Sequence, residues 1–301
     1  MIPIQGNTKL LTIGEGLLTA LIFGSTLVFV KMGLQDVGPL TLAGLRYVLA
    51  FVLLAPFLVR CGKSMRYPSW VWGRLILIGI CFYVVGNGAL FWGLQTISPT
   101  TGSLLLNLTP VLVLLAGVVW LKELPTRVQI VGILVGIGGS VLFFSSGSNA
   151  GEPLGIGIVA FGLLGISSLG ILGRQLARDR QVDTLPLTAI PMAIGGSLFL
   201  PIAFAVEGMP KVSATGWGVV LLLAVVNTAC GYLLYNHVLK TLAAFELSVI
   251  LTLAPLVTAF WAWVLLDDTL GIIPMIGILV VIAGVVLVQW GTKNAAPPIV
   301  R

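Results

Sequence analysis

Gly132-Ile-Leu-Val-Gly-Ile-Gly-Gly-Ser-Val-Leu142 returns later in the chain as Gly277-Ile-Leu-Val-Val-Ile-Ala-Gly-Val-Val-Leu287, changed only at positions 136, 138 and 140. The offset is 145 residues, and at that offset residues 86–144 meet 231–289 without a gap. Pro110 then falls on Pro255, Ser103 on Ser248, Thr96 on Thr241 and acidic Glu123 on Asp268. Leucines and valines match by chance between any two apolar helices. Matched prolines, glycines and an acidic residue at one offset do not, so the chain is read as two copies of one unit, 1–148 and 149–301. The first two helices of each copy agree more loosely, Gly24-Ser25-Thr26 resembling Gly165-Ile166-Ser167-Ser168.

Composition says what solvent the repeats meet. Of 301 residues 58% are hydrophobic and 9% charged, against about 25% charged in a soluble domain. A membrane span needs about 20 mainly apolar residues, and the chain offers such runs at 12–34, 39–59, 70–92, 99–121, 127–145, 154–174, 184–206, 214–238, 243–266 and 272–290. The breaks between them are short and carry Pro, Gly, Asp or Arg, which leaves no room for a domain outside the membrane. The expected fold is an all-α membrane protein of ten transmembrane helices. Because five helices per copy is odd, the second copy enters the membrane inverted, and inverted repeats around a central cavity serve alternating access. The mixed first dozen residues and the spanning length of the first apolar run predict no cleavable leader.

Lys and Arg placement sets the orientation. With the N-terminus inside, Lys9, Arg60, Lys63, Arg66, Arg74, Lys122, Arg127, Arg174, Arg178, Arg180, Lys240, Lys293 and Arg301 face the cytoplasm, against Lys31, Arg46 and Lys211 outside. Both termini are therefore expected to be cytoplasmic in a bacterial-type inner membrane. The net charge of +6 flanks apolar runs instead of forming a stripe, so nucleic acid is not an expected partner. Cys61, Cys81 and Cys230 have no close pairing and are read as reduced packing residues.

Gly24-Ser25 followed by Lys31, Pro39 and Arg46 resembles the opening of the EamA family in the drug/metabolite transporter superfamily. The run Pro110…Leu121-Lys122-Glu123-Leu124…Gly132…Gly139 and its copy Pro255…Leu266-Asp267-Asp268…Gly277…Gly284 are similar to the same family. Asp268 stands where the family usually has Glu, a conservative departure. Within the family the chain looks most like the YddG-type amino-acid and aromatic-metabolite exporters. The resemblance implies ten helices around a central cavity and alternating access.

Helix depth brings Ser25, Thr26, Tyr83, Asn87, Asn107 and Thr109 toward the midplane in the first copy, and Ser167, Ser168, Asn227, Tyr232 and Thr252 in the second. An amide facing lipid without a partner costs several kcal/mol, so the three asparagines must face protein or water. They either bond neighbouring helices or converge on a binding cavity. Tyr83, Trp92, Tyr232 and Tyr235 supply aromatic faces, Trp92 equally as a belt residue. Pro110 and Pro255 each remove a backbone donor, which bends the helix or frees a carbonyl near Leu106 and Leu251. Charges are expected at the ends, Lys31 and Arg46 outside, Glu15, His237, Lys240 and Glu246 inside. His237 is either a proton switch or simply solvated.

No carboxylate and no deep Lys or Arg is expected at the midplane, so the cavity suits a zwitterion or neutral amphiphile. A phosphate-cradling glycine loop, a metal cluster and a thiol–imidazole pair are absent from the sequence, so no cofactor and no enzyme activity is expected. Gly132-x-x-x-Gly136 is read as a close-packing motif. The expected function is export of amino acids or related small metabolites by a monomer whose partners are its solute and the bilayer. The alternatives are export of drugs or nucleobases, and a membrane enzyme or partner-dependent helper.

Overall fold

Proline and serine start these helices. Pro39, Pro99 and Pro153 occupy first-turn positions, where a missing N–H is harmless. Ser98 and Ser213 cap helix starts by accepting from the N–H groups of Thr101 (3.1 Å) and Gly216 (2.9 Å). The computed structural model describes residues 6–60, 67–109, 111–112, 126–145, 151–169, 172, 176, 182–238, 247, 250–268 and 271–293. In them run α1 (Gly6–Gly33), α2 (Pro39–Arg60), α3 (Ser69–Gly93), α4 (Pro99–Leu106), α5 (Arg127–Ser145), α6 (Pro153–Ser168), α7 (Thr184–Val206), α8 (Ala214–Val238), α9 (Ala254–Leu266) and α10 (Ile272–Lys293). Each lies on one of the expected apolar runs. Strands are absent among the described residues apart from one isolated bridge between Ile97 and Gly151.

Five helices are long and apolar enough to cross a bilayer: Leu11–Gly33 within α1, then α2, α3, α7 and α8. The shorter α5, α6, α9 and α10 are apolar too. Large apolar side chains stand outward along them, among them Leu134, Val141, Phe161, Trp263 and Leu279, a surface that suits lipid.

The repeated motif packs on its own copy. A Cβ on Gly132 would lie 2.6 Å from the backbone N of Val288 and 2.7 Å from the Gly284 carbonyl. One on Gly139 would lie 2.6 Å from the N of Val281 and 2.9 Å from the Gly277 carbonyl. Moving Gly132 and Gly139 forward by 145 gives Gly277 and Gly284, so the pairs Gly132–Gly284 and Gly139–Gly277 exchange into each other. The α5–α10 seam is therefore self-complementary, as a two-fold relation requires. Gly136, read from sequence as half of the packing motif, has nothing within 4 Å of its own added Cβ. It admits Gly284 by its backbone instead, and the wedge positions are Gly132 and Gly139.

Two further features recur: π stretches that overlap at the 145-residue offset, with their side-chain bonds at different positions, and turns that coincide at it. Inside α3, Gly79–Asn87 is a π-helical stretch, and inside α8 so is Leu223–Cys230. Such wide turns leave a carbonyl short of its usual donor. Asn87 Nδ2 donates to the Phe82 carbonyl (2.8 Å) and Thr228 Oγ1 to that of Leu223 (2.8 Å), each five residues back. The chain also turns at Asn107-Leu108 after α4 and at Thr252-Leu253 before α9. Asn107 Nδ2 donates to the Thr252 carbonyl at 3.3 Å. Residues 107 and 252 are counterparts in the repeat, so this bond joins the two breaks at a point the two copies share. Pro255 follows its break at the start of α9. The expected free carbonyl of Leu106 is instead taken by Thr109 Oγ1 at 2.6 Å. Pro110, Glu123, Lys240 and Glu246 lie outside the described residues.

Carboxylates tie the end of α7 to the start of α2, and the turn after α1 to the start of α8. Glu207, just past α7, accepts from Leu40 N (2.9 Å), Thr41 N (2.9 Å) and Thr41 Oγ1 (2.7 Å), capping α2. Asp36 accepts from Ser213 N at 2.8 Å before α8. Three donors converging on a half-buried carboxylate at a helix N-terminus make a charge-assisted cap. Glu207→Ala is expected to destabilise the protein by about 1–3 kcal/mol, read as a fall in thermal midpoint in detergent. Asp36→Ala, with one bond, is expected to do less.

Candidate functional site

Where α1, α2, α3, α7 and α8 meet, aromatic rings form a continuous chain. Phe199 lies 6.1 Å from Tyr47, Tyr47 4.9 Å from Tyr83, Tyr83 6.2 Å from Tyr232, and Tyr232 5.2 Å from Phe23. Phe82 joins edge-on to Tyr83 at 4.8 Å and to Tyr232 at 6.0 Å, and Tyr235 lies 6.0 Å from Phe23. Edge-to-face and tilted pairs at these spacings are attractive beyond their area. Tyr83, Tyr232 and Tyr235 were each expected near the cavity, and the structure brings them into this one chain. Tyr47 was missed, although its position beside Arg46 inside an apolar run is a legible signal. An apolar cleft of about 350 Å³, lined by Val84, Gly88, Trp92, Phe199 and Ile202 among others, reaches the chain at Phe199.

Beside the rings sits a polar knot. Asn227, fully buried, donates from Nδ2 to the Ile22 carbonyl (2.7 Å), Ser25 Oγ (3.1 Å) and Thr26 Oγ1 (3.0 Å). One amide thus stitches α8 to α1, while its Oδ1 has no partner among the described residues. Among the described residues Asn87 bonds within α3 and Asn107 bonds across the shared break, so their described bonds do not converge with those of Asn227. Ser167 Oγ donates to the Leu163 carbonyl at 2.7 Å, a within-helix bond. Thr252 is buried.

Arg46 corrects the sequence reading. Expected at the outer flank, it is 3% exposed, and its Nε donates to Thr228 Oγ1 in a short bond. Its guanidinium lies over the rings of Tyr47 (5.5 Å) and Phe91 (5.6 Å). The expectation that no deep cation exists is therefore wrong. Arg46 stands about 10 Å along α2 from Pro39 at 1.5 Å per residue, and its position faces the bundle.

Lys31 lies in the last turn of α1 and His237 in that of α8. Lys31 Nζ donates to the carbonyls of Leu94 (2.6 Å), Gln95 (3.0 Å) and Ile97 (3.0 Å), closing the C-terminal end of α3. His237 Nε2 lies 3.8 Å from Glu15 Oε2, with 61% of the imidazole side chain exposed. Cys81 and Cys230 are free thiols. Among the described residues no group of His, Cys, Asp and Glu could hold a metal.

Asp268 follows α9, whose end turns at left-handed Asp267 (φ 52°). Burial pushes the Asp268 carboxyl above its ordinary range, and the Lys31 ammonium pulls it back down. A raised carboxyl binds its proton more tightly in the folded state. Its stabilising contribution is thus complete below the ordinary aspartate value and is lost as pH rises through the raised one. Relative to Asp268→Asn, the wild type is expected to gain thermal stability as pH falls from neutral to about 4. Parallel melting curves across that window would refute the assignment.

The family model described as the EamA-like transporter family matches residues 11–145 and again 153–290. An uncharacterized transporter of Archaeoglobus fulgidus is 28% identical, with 90% of this chain and 94% of the other covered. The uncharacterized transporter YyaM of Bacillus subtilis is 26% identical over 93% of this chain and 92% of its own. An S-adenosylmethionine/S-adenosylhomocysteine transporter of Chlamydia trachomatis is 25% identical over 84% and 81%. One protein of known crystal structure shares the fold, with a TM-score of 0.70 at 17% identity, over 94% of this chain and 99% of the other.

Proposed function

The chain belongs to the EamA-like transporter family, and from that premise we propose that it exports amino acids or related small metabolites by alternating access. Ten helices in two inverted halves cross a bacterial-type inner membrane, with both termini in the cytoplasm. The observation that carries the mechanism is the set of contacts that map onto themselves at one offset. The glycine seam of α5 and α10 maps onto itself at 145 residues, the π stretches of α3 and α8 overlap at that offset, and the Asn107–Thr252 bond joins two counterpart positions. Two halves related in this way have two equivalent arrangements, and exchanging them opens one side as the other closes. The π stretches and the helix breaks supply the pliable points.

The aromatic chain, the buried amides and the buried Arg46 guanidinium suit a solute with an apolar body and a polar head. Amino acids are the simplest such class. A second reading keeps the mechanism and changes the cargo, and the chlamydial relative's name favours it. S-adenosylhomocysteine is an amino acid that carries a purine, and a purine stacks on tyrosine rings as readily as a phenyl side chain does. Drugs or nucleobases would need only the rings.

Cells expressing the chain and fed labelled dipeptides test the export direction. They are expected to release the liberated amino acid faster than control cells and to hold less of it inside. Unchanged retention of every amino acid, together with raised tolerance to an aromatic drug, would move the assignment to the alternative cargo.

A further inference from the structure

Arg46 is buried and, besides the rings of Tyr47 and Phe91 beneath it, has one described hydrogen-bond partner, Thr228 Oγ1. Its Nη1 is shut off from solvent with no acceptor among the described residues, and so is the hydroxyl of the next residue, Tyr47. Two neighbouring donors are thus left unused in the wall of the aromatic chain, where Tyr47 meets Tyr83 edge-on at 4.9 Å. Among the described residues no carboxylate lies within ion-pair distance of the guanidinium. A cation buried without a counter-ion is costly, and the molecule still fixes its position. The π stretch of α8 holds Thr228 through Leu223, and Thr228 holds Nε, so the free edge of the guanidinium is presented in a set orientation. A guanidinium fork matches a carboxylate in geometry and charge. With one cation described at this depth, the match is to a monoanion. Lys31 is occupied by three carbonyls.

We propose that Arg46 and Tyr47 form an anion subsite that receives the carboxylate of the transported solute, with the rings of Tyr47, Tyr83 and Tyr232 taking its apolar body. This rests on the reading of the chain as a carrier of amino acids or related metabolites, and it names the residues that recognise the acid group. Arg46 acts on the ligand directly, and Thr228 is a positioning residue.

The test is equilibrium binding to purified protein at neutral pH, followed by thermal shift, with three probes. Phenylalanine carries carboxylate and ammonium, phenylalaninamide only the ammonium, and hydrocinnamate only the carboxylate. In the wild type both acids are expected to bind at least about tenfold more tightly than the amide, the scale of one lost charge-assisted hydrogen bond. Arg46→Met is expected to erase that preference and Arg46→Lys to retain part of it. Tyr47→Phe, which keeps the ring and cannot disturb the Thr228 bond, is expected to shrink the preference several-fold and decides the matter if Arg46→Met does not fold. An amide that binds the wild type as well as the acids do, an acid preference that survives in Arg46→Met or unreduced in Tyr47→Phe, or a wild type blind to all three probes would overturn the subsite. Arg46-dependent binding of hydrocinnamate without carriage of any amino acid would uphold the subsite and overturn the amino-acid reading.

Discussion

Gly139→Leu is expected to leave almost no folded protein in detergent or membrane. At this position the first carbon of any side chain would already sit 2.6 Å from the Val281 nitrogen and 2.9 Å from the Gly277 carbonyl. Both are backbone atoms of the facing helix, so no rotamer relieves the clash. The two helices must separate along a seam where Gly132, Gly139, Gly277 and Gly284 all lie in backbone contact with the opposite helix. Association between apolar helices relies on close van der Waals contact, because lipid competes equally for their apolar surface. A wedge of this size is expected to cost at least about 3 kcal/mol. Gly284→Leu, the counterpart in the repeat, is expected to be equally damaging. Gly138→Ala supplies the control: nothing lies within 4 Å of an added Cβ there, so its effect should stay within about 1 kcal/mol. Yield of monodisperse protein and thermal midpoint for the three variants check the prediction.

Asn227→Ala is expected to abolish transport and to destabilise the fold by about 2–4 kcal/mol. Its Nδ2 donates to one carbonyl and two hydroxyl oxygens of α1. Individual interhelical bonds in membranes contribute about 0.6 kcal/mol on average, but here the two N–H donors of one amide are shared among three acceptors, and truncation leaves a cavity. Ser25 Oγ and Thr26 Oγ1 keep their own bonds to the Ile22 carbonyl, so α1 stays helical. What is lost is the register between α1 and α8. Tyr232, five residues along α8 and packed at a tilt on Phe23 of α1, loses its placement with it. Solute uptake and affinity should therefore fall together. Unchanged transport in Asn227→Ala would separate this knot from function altogether.

Much of the architecture is legible in the residues themselves. Apolar run length locates every described helix, since a bilayer fixes how many residues a span needs. The repeat at 132 and 277 points to a shared interface, because glycines conserved across an internal duplication are there to let backbones approach. Other features hide from sequence for physical reasons. The π stretches depend on how Gly79–Asn87 meets Gly165 and Ile194, and such a bulge leaves no periodic signature. The helix breaks lie two or three residues before Pro110 and Pro255, where a proline displaces the preceding backbone, and sequence alone gives a bend and not the meeting of the two breaks. Arg46 misleads because a charge near a helix start normally reaches the interface. Its two apolar neighbours, Leu45 and Tyr47, and its distance of nearly two turns from Pro39 are the signals against that reading. Asn107 and Asn87 illustrate the converse, amides placed at functional depth whose described bonds go to backbone.

Counterflow in proteoliposomes containing only this protein tests the central claim most directly. The vesicles are preloaded with a mixture of unlabelled amino acids, held at equal pH on both sides, and given a trace of one labelled amino acid outside. A carrier with two alternating gates should accumulate the label transiently above its external concentration, and the accumulation should saturate with external solute. Label that only equilibrates, at a rate unaffected by what is loaded inside, would contradict alternating access. Absence of counterflow for all twenty amino acids would contradict the assigned cargo.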